Sequence, residues 1–587
     1  MMRVSRPLPC SRVVLAVALV VLAVLVAGCG LVPTSTPRAS DAWSNGKLMG
    51  TAILNNPVAL RVDKAGHAFL VWVGPEHELS FARLNENAEV VVQRSLDVGS
   101  GSAQKPQMVV DTAGGLHLTW LDVGEQGYSL FYARLSADGA VIQEATPLSL
   151  PGQRVVHSWM VLDPVGRTVE MFWSDGVVSR PGCHHAAVNW SGEVVLPAET
   201  LISDGLFPVA QVDQQGYIHL AWRADPGSTP QFRYAVYDPQ RRLLGPEVVA
   251  GRPSMQMGML GGPTAGAGFD GPRLGLDEDW VYVAWVLEMR ERERQDFTFY
   301  VAFPQPELDS RDATDTVDYP RPQLQGEAVR VQGADPSATA HPQFLDGQPS
   351  RQLLACFTQT SGPGNVETLQ IVATDHLPGG IGGQEIVNAS RGASLRPNVV
   401  VDSNGHLHLA WIDTAGFERY HVVYASTSPR VRETLNRVTV YDVVNRVLNA
   451  VMSIFTALFF TPVVLVWVLV PVVWLVGFAL VTHAGDVSDQ GGGIALVVAM
   501  LLELGVKLFV FGDLLSRFPF ASLFAPSLGL LVGRWLFPVL LAAVSAGLTW
   551  VYLRRARSQS LFAAYFIYAA IDSFVTLVVY VAVPMGV

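Results

Sequence analysis

The chain has 587 residues, half of them hydrophobic and only 16% charged, with a formal net charge of −11. Such a balance speaks against nucleic acid as a partner, because holding phosphates needs a concentrated basic surface. The apolar excess sits mainly at the two ends, which places the chain in a membrane-bound setting.

Arg3, Arg6 and Arg12 precede an apolar run from Val13 to Ala27 that is too short to span a bilayer comfortably and has the shape of an export signal. It ends in Val26-Ala27-Gly28-Cys29, a tetrapeptide that resembles the lipobox of bacterial lipoproteins. The resemblance implies that residues 1–28 are a signal peptide and that Cys29 is the lipidated first residue of the mature chain. An uncleaved signal anchor with an incidental Cys29 is the alternative, and under either reading the segment C-terminal to it is exported. Residues 29–42, rich in Ser, Thr, Pro and Gly, read as a flexible tether.

From Pro57 to Trp411 one unit recurs at a period of about 50 residues, clearest in RPNVVVDSNGHLHLAW, QKPQMVVDTAGGLHLTW and FPVAQVDQQGYIHLAW. Seven pairs mark the turn aspartate and the aromatic closing the next strand: Asp63/Trp72, Asp111/Trp120, Asp163/Trp173, Asp213/Trp222, Asp277/Trp285, Asp346/Phe357 and Asp402/Trp411. Five of them carry glycine three residues after the aspartate, as a tight hairpin requires. Third and fourth strands come next, as in SLFYARL and AVIQEATPLS, but the last repeat lacks its fourth. The segment from Lys47 to Leu54 supplies an orphan strand that closes the ring and removes an open edge. Residues 43–429 thus predict an all-β fold, a seven-bladed β-propeller.

The unit DxxGxxHxxW resembles the aspartate box of the sialidase-like propeller superfamily over roughly Pro57 to Trp411. The resemblance implies the fold, but the arginine triad and the FRIP motif of sialidases are not found, and Val400 and Gly405 depart from the family spacing around Asp402. His117, His219 and His408 hold one place in three repeats and read as packing or hydrogen-bonding residues rather than metal ligands. Ligands of propellers usually meet the loops that begin just after the closing aromatic. In those loops Asp122, Asp175, Arg223, Asp225 and Asp413 are the candidate ligand-binding residues, with turn-starting aspartates as the plainer reading. No catalytic set, cofactor or metal site is expected.

After Arg430, Val440, Val443, Val444, Val447, Leu448 and Val451 keep helical spacing, so residues 430–461 predict a linker and an amphipathic interfacial helix. Residues 462–587 predict an all-α transmembrane helical bundle of about four spans, near Pro462–Thr482, Gly493–Leu514, Trp535–Leu553 and Leu561–Val583. Glu503, Lys507 and Asp572 are the candidate intramembrane polar residues, with Glu503 and Lys507 spaced to neutralise each other and Asp572 lacking a local basic partner. Arg554, Arg555 and Arg557 suit the cytoplasmic side.

The expectation is a multi-pass protein of a bacterial cell membrane whose exported propeller binds an extracellular glycan, peptide or protein. An extracellular carbohydrate-active enzyme is the second reading, and a sensor or transporter accessory the third.

Overall fold

A computed structural model describes residues 39–582 except 253–267, 307–328, 331–338, 347–351, 516–530 and most of 438–460, with shorter gaps at 54–55, 125–126, 177–181, 226–229, 291–293, 362–366, 379, 389–392, 416–418 and 556–558. The expected export signal, Cys29, residues 30–38 of the expected tether and nearly all of the amphipathic stretch lie outside the described residues, whereas residues 39–42 are described and Ser40 N–H donates to Ile386 O at 2.7 Å. Two compact units emerge, Ala39–Ser361 with Glu367–Arg437, and Val438–Val587 grouped with Met1–Arg38 and Gly362–Val366.

The first unit is a β-propeller. Its strands form seven antiparallel sheets, six of four strands and one of five. The first strands of sheets one to seven are Ala59–Val62, Gln104–Val110, Val155–Asp163, Gly205–Val212, Gly268–Leu276, Thr339–Phe344 and Ser394–Val401. Each touches the first strand of the next sheet, and the seventh touches the first, so these seven line a common axis. The expected closing strand is Lys47–Ala52, which pairs antiparallel with Tyr420–Ser426 as the outermost strand of sheet seven. Pairing the two ends of the array in one sheet leaves no broken edge between them.

Alternation along the second strand puts the closing tryptophan between sheets. Trp120, Trp173, Trp222, Trp285 and Trp411 are all almost fully buried, and such rings dominate the energetics of a core. Small residues face them where the outer strand passes closely: a Cβ on Gly50 would stand 2.7 Å from the Trp72 ring. Asp346 departs from the repeat. It forms an isolated parallel bridge to Val400 in sheet seven, and its carboxylate meets Arg61 Nη2 of sheet one at 2.6 Å.

A short helix α1, Pro429–Leu435, succeeds sheet seven and buries Val431. Among the described residues the second unit has four helices long and apolar enough to cross a membrane. We call them α2 (Thr461–Thr482), α3 (Gly492–Val510), α4 (Phe537–Arg555, preceded by a π-helical turn) and α5 (Leu561–Leu577, with another such turn after it). Their outward faces carry large apolar residues such as Leu480, Val481, Ile494 and Phe509, as helices surrounded by lipid do.

Candidate functional site

At one end of the first two strands of six sheets, all but the sixth, lie the aspartate turns. Asp111 Oδ1 accepts from the backbone N–H of Ala113 and Gly115, both at 2.8 Å. Asp63, Asp213 and Asp402 do the same for the residues two and four positions on. Gly66, Gly114, Gly216 and Gly405 supply the positive φ the turn needs.

The second carboxylate oxygen of each turn explains the repeated histidines. His219 Nε2 stands 3.3 Å from Asp213 Oδ2, and Nδ1 stands 2.6 Å from the Tyr234 hydroxyl on the third strand. An ionised aspartate can only accept, so Nε2 carries the proton and the tyrosine donates to Nδ1. His117 with Asp111 and Tyr132, and His408 with Asp402 and Tyr424, repeat the chain. Sheet three substitutes Glu170 and His185, at 2.6 Å, and sheet five lets Tyr282 donate straight to Asp277 at 2.7 Å. Each chain stays within its own sheet. Among the described residues no group of three His, Cys, Asp or Glu side chains is placed to hold a metal ion. His184 and His185 point to opposite faces of their strand, one to Thr200 and the other to Glu170.

The loop residues singled out from the sequence lie at the other end of the strands. Asp122 is buried and accepts from the backbone N–H groups of Gly101, Ser102 and Val123. Asp413 accepts from Trp411 Nε1 at 2.7 Å and from the Ser394 hydroxyl. Arg223 and Asp225 form a two-pronged ion pair, 2.8 Å on each prong. Asp175 ends the second strand of sheet three, opposite Val155. Of the five, only Arg223 and Asp225 meet each other in the contacts described. Arg223 Nη1 also reaches the Phe269 carbonyl at 3.4 Å, and Phe269 lines an axial cavity.

That cavity, of about 410 Å³, opens on the common axis at this end and is lined by residues of or just before the first strand of every sheet. The volume lies within the range of small-molecule sites. Lys105, His157, Asp270, Arg273, His341 and Arg396 bring polar groups to it, Glu288 adds one from a second strand, and Trp159, Phe207 and Phe269 give aromatic wall. None of these was singled out by sequence reasoning, because they are scattered from residue 105 to residue 396. A signal was nevertheless present. Six repeats carry X-Pro just before or within the first half or so of their first strand: Asn56-Pro57, Lys105-Pro106, Phe207-Pro208, Gly271-Pro272, His341-Pro342 and Arg396-Pro397.

The structure gives that dipeptide a physical meaning. Lys105, Phe207, His341 and Arg396 have φ of 47°, 53°, 51° and 53°, a left-handed backbone that costs a side-chain-bearing residue about 1–2 kcal/mol. At each one the pairing with the second strand slips by a bulge, and bulges re-aim side chains. All four strained residues line the one cavity. Hydrogen bonds between neighbouring sheets hold its wall. Lys105 Nζ donates to Val156 O at 2.7 Å, Trp159 Nε1 to Ala210 O at 2.7 Å and Asn398 Nδ2 to Val58 O at 2.8 Å.

Electrostatics couple these groups. Burial lowers the Lys105 pKa, and the positive charges of Arg396 and Arg273 lower it further against the opposing pull of Asp270. His157 is pushed down to about 3, by burial first and then by Lys105 and Arg273, so its imidazole is neutral near pH 7. Nε2 lies 3.1 Å from the Pro208 carbonyl and must donate to it, which leaves Nδ1 as the lone-pair nitrogen. Asp270 is held below the usual carboxylate range chiefly by Arg273, whose Nη2 stands 3.4 Å away. Three cationic side chains against two carboxylates therefore give the lining a positive surplus in a strongly acidic chain.

No family model matches the chain. No curated protein matches it either. Among solved structures it is similar to the polysaccharide lyase Uly1, with 10% identity, a TM-score of 0.43 and 64% of this chain and 91% of that one covered. It is also similar to a Hadza microbial sialidase, with 11% identity, a TM-score of 0.31 and 60% and 73% covered. For an α-L-arabinanase of Cellvibrio cellulosa the identity is 10%, the TM-score 0.27 and the coverage 58% and 96%. The solved structures that this chain resembles thus include polysaccharide lyase, sialidase and arabinanase enzymes, all at low identity.

Proposed function

We propose that the chain is a membrane-anchored binding module, its sheets the seven blades of one closed ring, which holds an acidic sugar residue of an extracellular glycan at the axial cavity. The observation that carries the reading is the convergence of Lys105, Arg273 and Arg396 with Trp159, Phe207 and Phe269 in that single cavity. Cations at partly buried positions bind carboxylate or sulfate strongly. Aromatic faces suit the apolar faces of a sugar ring, and the volume suits one or two such rings. Strained backbone at four lining residues is stabilised by the surrounding fold and concentrates at functional sites. Exposure of the ring outside the cell is supported by the export signal and the AGC sequence at its end, and anchorage by the four apolar helices.

The test is a glycan array probed with the labelled full-length chain in detergent. Binding is expected to uronic, sialylated or sulfated members and not to their neutral counterparts; equal retention of neutral glycans overturns the reading. His157 is expected to add no pH dependence between about pH 5 and 8, because it stays neutral throughout that range. Binding falls as pH rises through the Lys105 pKa. Since that pKa is lowered, the ammonium loses its proton, and the ligand its partner, at a pH below the usual lysine value of about 10.4.

One observation favours a second reading, turnover of the same glycan. Lys105, whose lowered pKa brings its amine closer to the neutral form, stands beside Asp270 and the neutral His157 as a candidate base. Mass spectrometry of array-positive glycans after incubation distinguishes cleavage from retention.

A further inference from the structure

The helical unit contains a buried ionic cluster that lipid anchorage does not require. The sequence left Asp572 without a basic partner, but the structure supplies one: Lys507 of α3 donates to Asp572 Oδ2 of α5. The same ammonium stands 3.1 Å from Glu503 Oε1, one turn earlier on α3, and 5.0 Å from the centre of the Trp467 ring of α2. Tyr565 of α5 donates its hydroxyl to Glu503 Oε2 at 2.8 Å, and Trp467 Nε1 donates to Ser573 Oγ at 3.0 Å. Glu503, Lys507 and Asp572 are at most 2% exposed. Around the cluster, α5 and α2 supply Tyr565, Ser573 and the Trp467 ring, which carry no charge, and the buried polar residues of α4 are the uncharged Ser545 and Thr549.

Charge balance makes this arrangement informative. One lysine and one aspartate would already form a neutral pair across two helices. Glu503 adds a second carboxyl, so the fully ionised cluster carries one net negative charge inside a unit whose surface is hydrocarbon-like. Burying an uncompensated charge costs several kcal/mol even after relaxation. Glu503 Oε1 is buried and its neighbour is the same ammonium, 3.1 Å away. One proton brings the cluster to neutrality.

We propose that the Glu503–Lys507–Asp572 cluster is a proton-binding centre, holding one exchangeable proton between its two carboxyl groups. Loss of that proton leaves α3 and α5 sharing an unbalanced negative charge, so the packing of the two helices is linked to protonation. Such a centre gives the helical unit a response to pH independent of anything bound by the propeller.

Infrared spectroscopy of the full-length chain in phosphatidylcholine vesicles reads the carboxyl directly. At neutral pH one protonated-carboxyl carbonyl band per chain is expected, shifting on exchange into D2O and disappearing as pH is raised. Glu503→Gln or Asp572→Asn should abolish the band, while Asp138→Asn on the exposed surface of the propeller should not. Lys507→Met removes the only cation of the trio, so both carboxyls must take up protons and the band should double. That arm serves if either amide variant fails to insert. Absence of the band in the unaltered chain, its persistence in both amide variants, or its failure to exchange in D2O would each overturn the proposal.

Discussion

Replacing Trp222 by alanine is expected to lower the stability of the propeller by about 3–5 kcal/mol, the usual consequence of emptying a fully buried aromatic site. The ring is 0% exposed and sits between sheets three and four among Cys183, Ile202, Leu220 and Ala235. Its surroundings cannot collapse into the hole, because Gly205 already lets the backbone approach the ring: a Cβ there would stand 3.0 Å from Trp222 Cδ1 and 2.6 Å from Cys183 Sγ. Trp222→Phe should cost about half as much or less, since Trp222 Nε1 is buried without a hydrogen bond and its removal leaves no donor unsatisfied. Urea unfolding of the full-length chain in detergent, monitored by the β-sheet circular dichroism signal, measures both. An alanine variant as stable as the parent would show that the sheets do not rely on the closing aromatics.

Replacing Arg396 by alanine should weaken binding of an acidic glycan by about 30-fold or more, the loss typical of a partly buried charged contact. Arg396 lines the cavity on a backbone held at φ 53°, and its charge acts on both Lys105 and Asp270. Asp413→Ala should behave differently. Its carboxylate is occupied by Trp411 Nε1 and the Ser394 hydroxyl, so the change should reduce stability and leave affinity within about twofold, as losing a local hydrogen-bond acceptor does. Titration of both variants with the glycan selected on the array separates the two effects. Equal losses of affinity in the two would place the ligand at the loops rather than on the axis.

Much of the propeller was legible because its signals are local. The turn aspartate, the glycine three residues later and the aromatic nine or so residues on all lie within one hairpin, so Asp213, Gly216 and Trp222 announce a turn and a strand without reference to anything distant. The third strand QFRYAVYD is found at Gln231–Asp238. The helical spans are legible for a similar reason, since length and hydropathy suffice to identify them. By contrast, the loop residues were chosen for chemistry alone, and chemistry does not say which partner a carboxylate has: Asp122 and Asp413 turn inward to backbone and side-chain donors.

The amino-acid sequence by itself determined the repeat, the alternation of its strands, the closing role of the segment from Lys47 to Leu54 and the apolar helices, because each is set by neighbours a few residues apart or by composition. Only the tertiary structure decided that Lys105, His157, Arg273 and Arg396 share a cavity and that Lys507 balances Asp572. Closing a ring brings the start of every repeat to one axis, and packing helices brings α3 against α5. Either event joins residues too far apart in the chain for spacing to relate them.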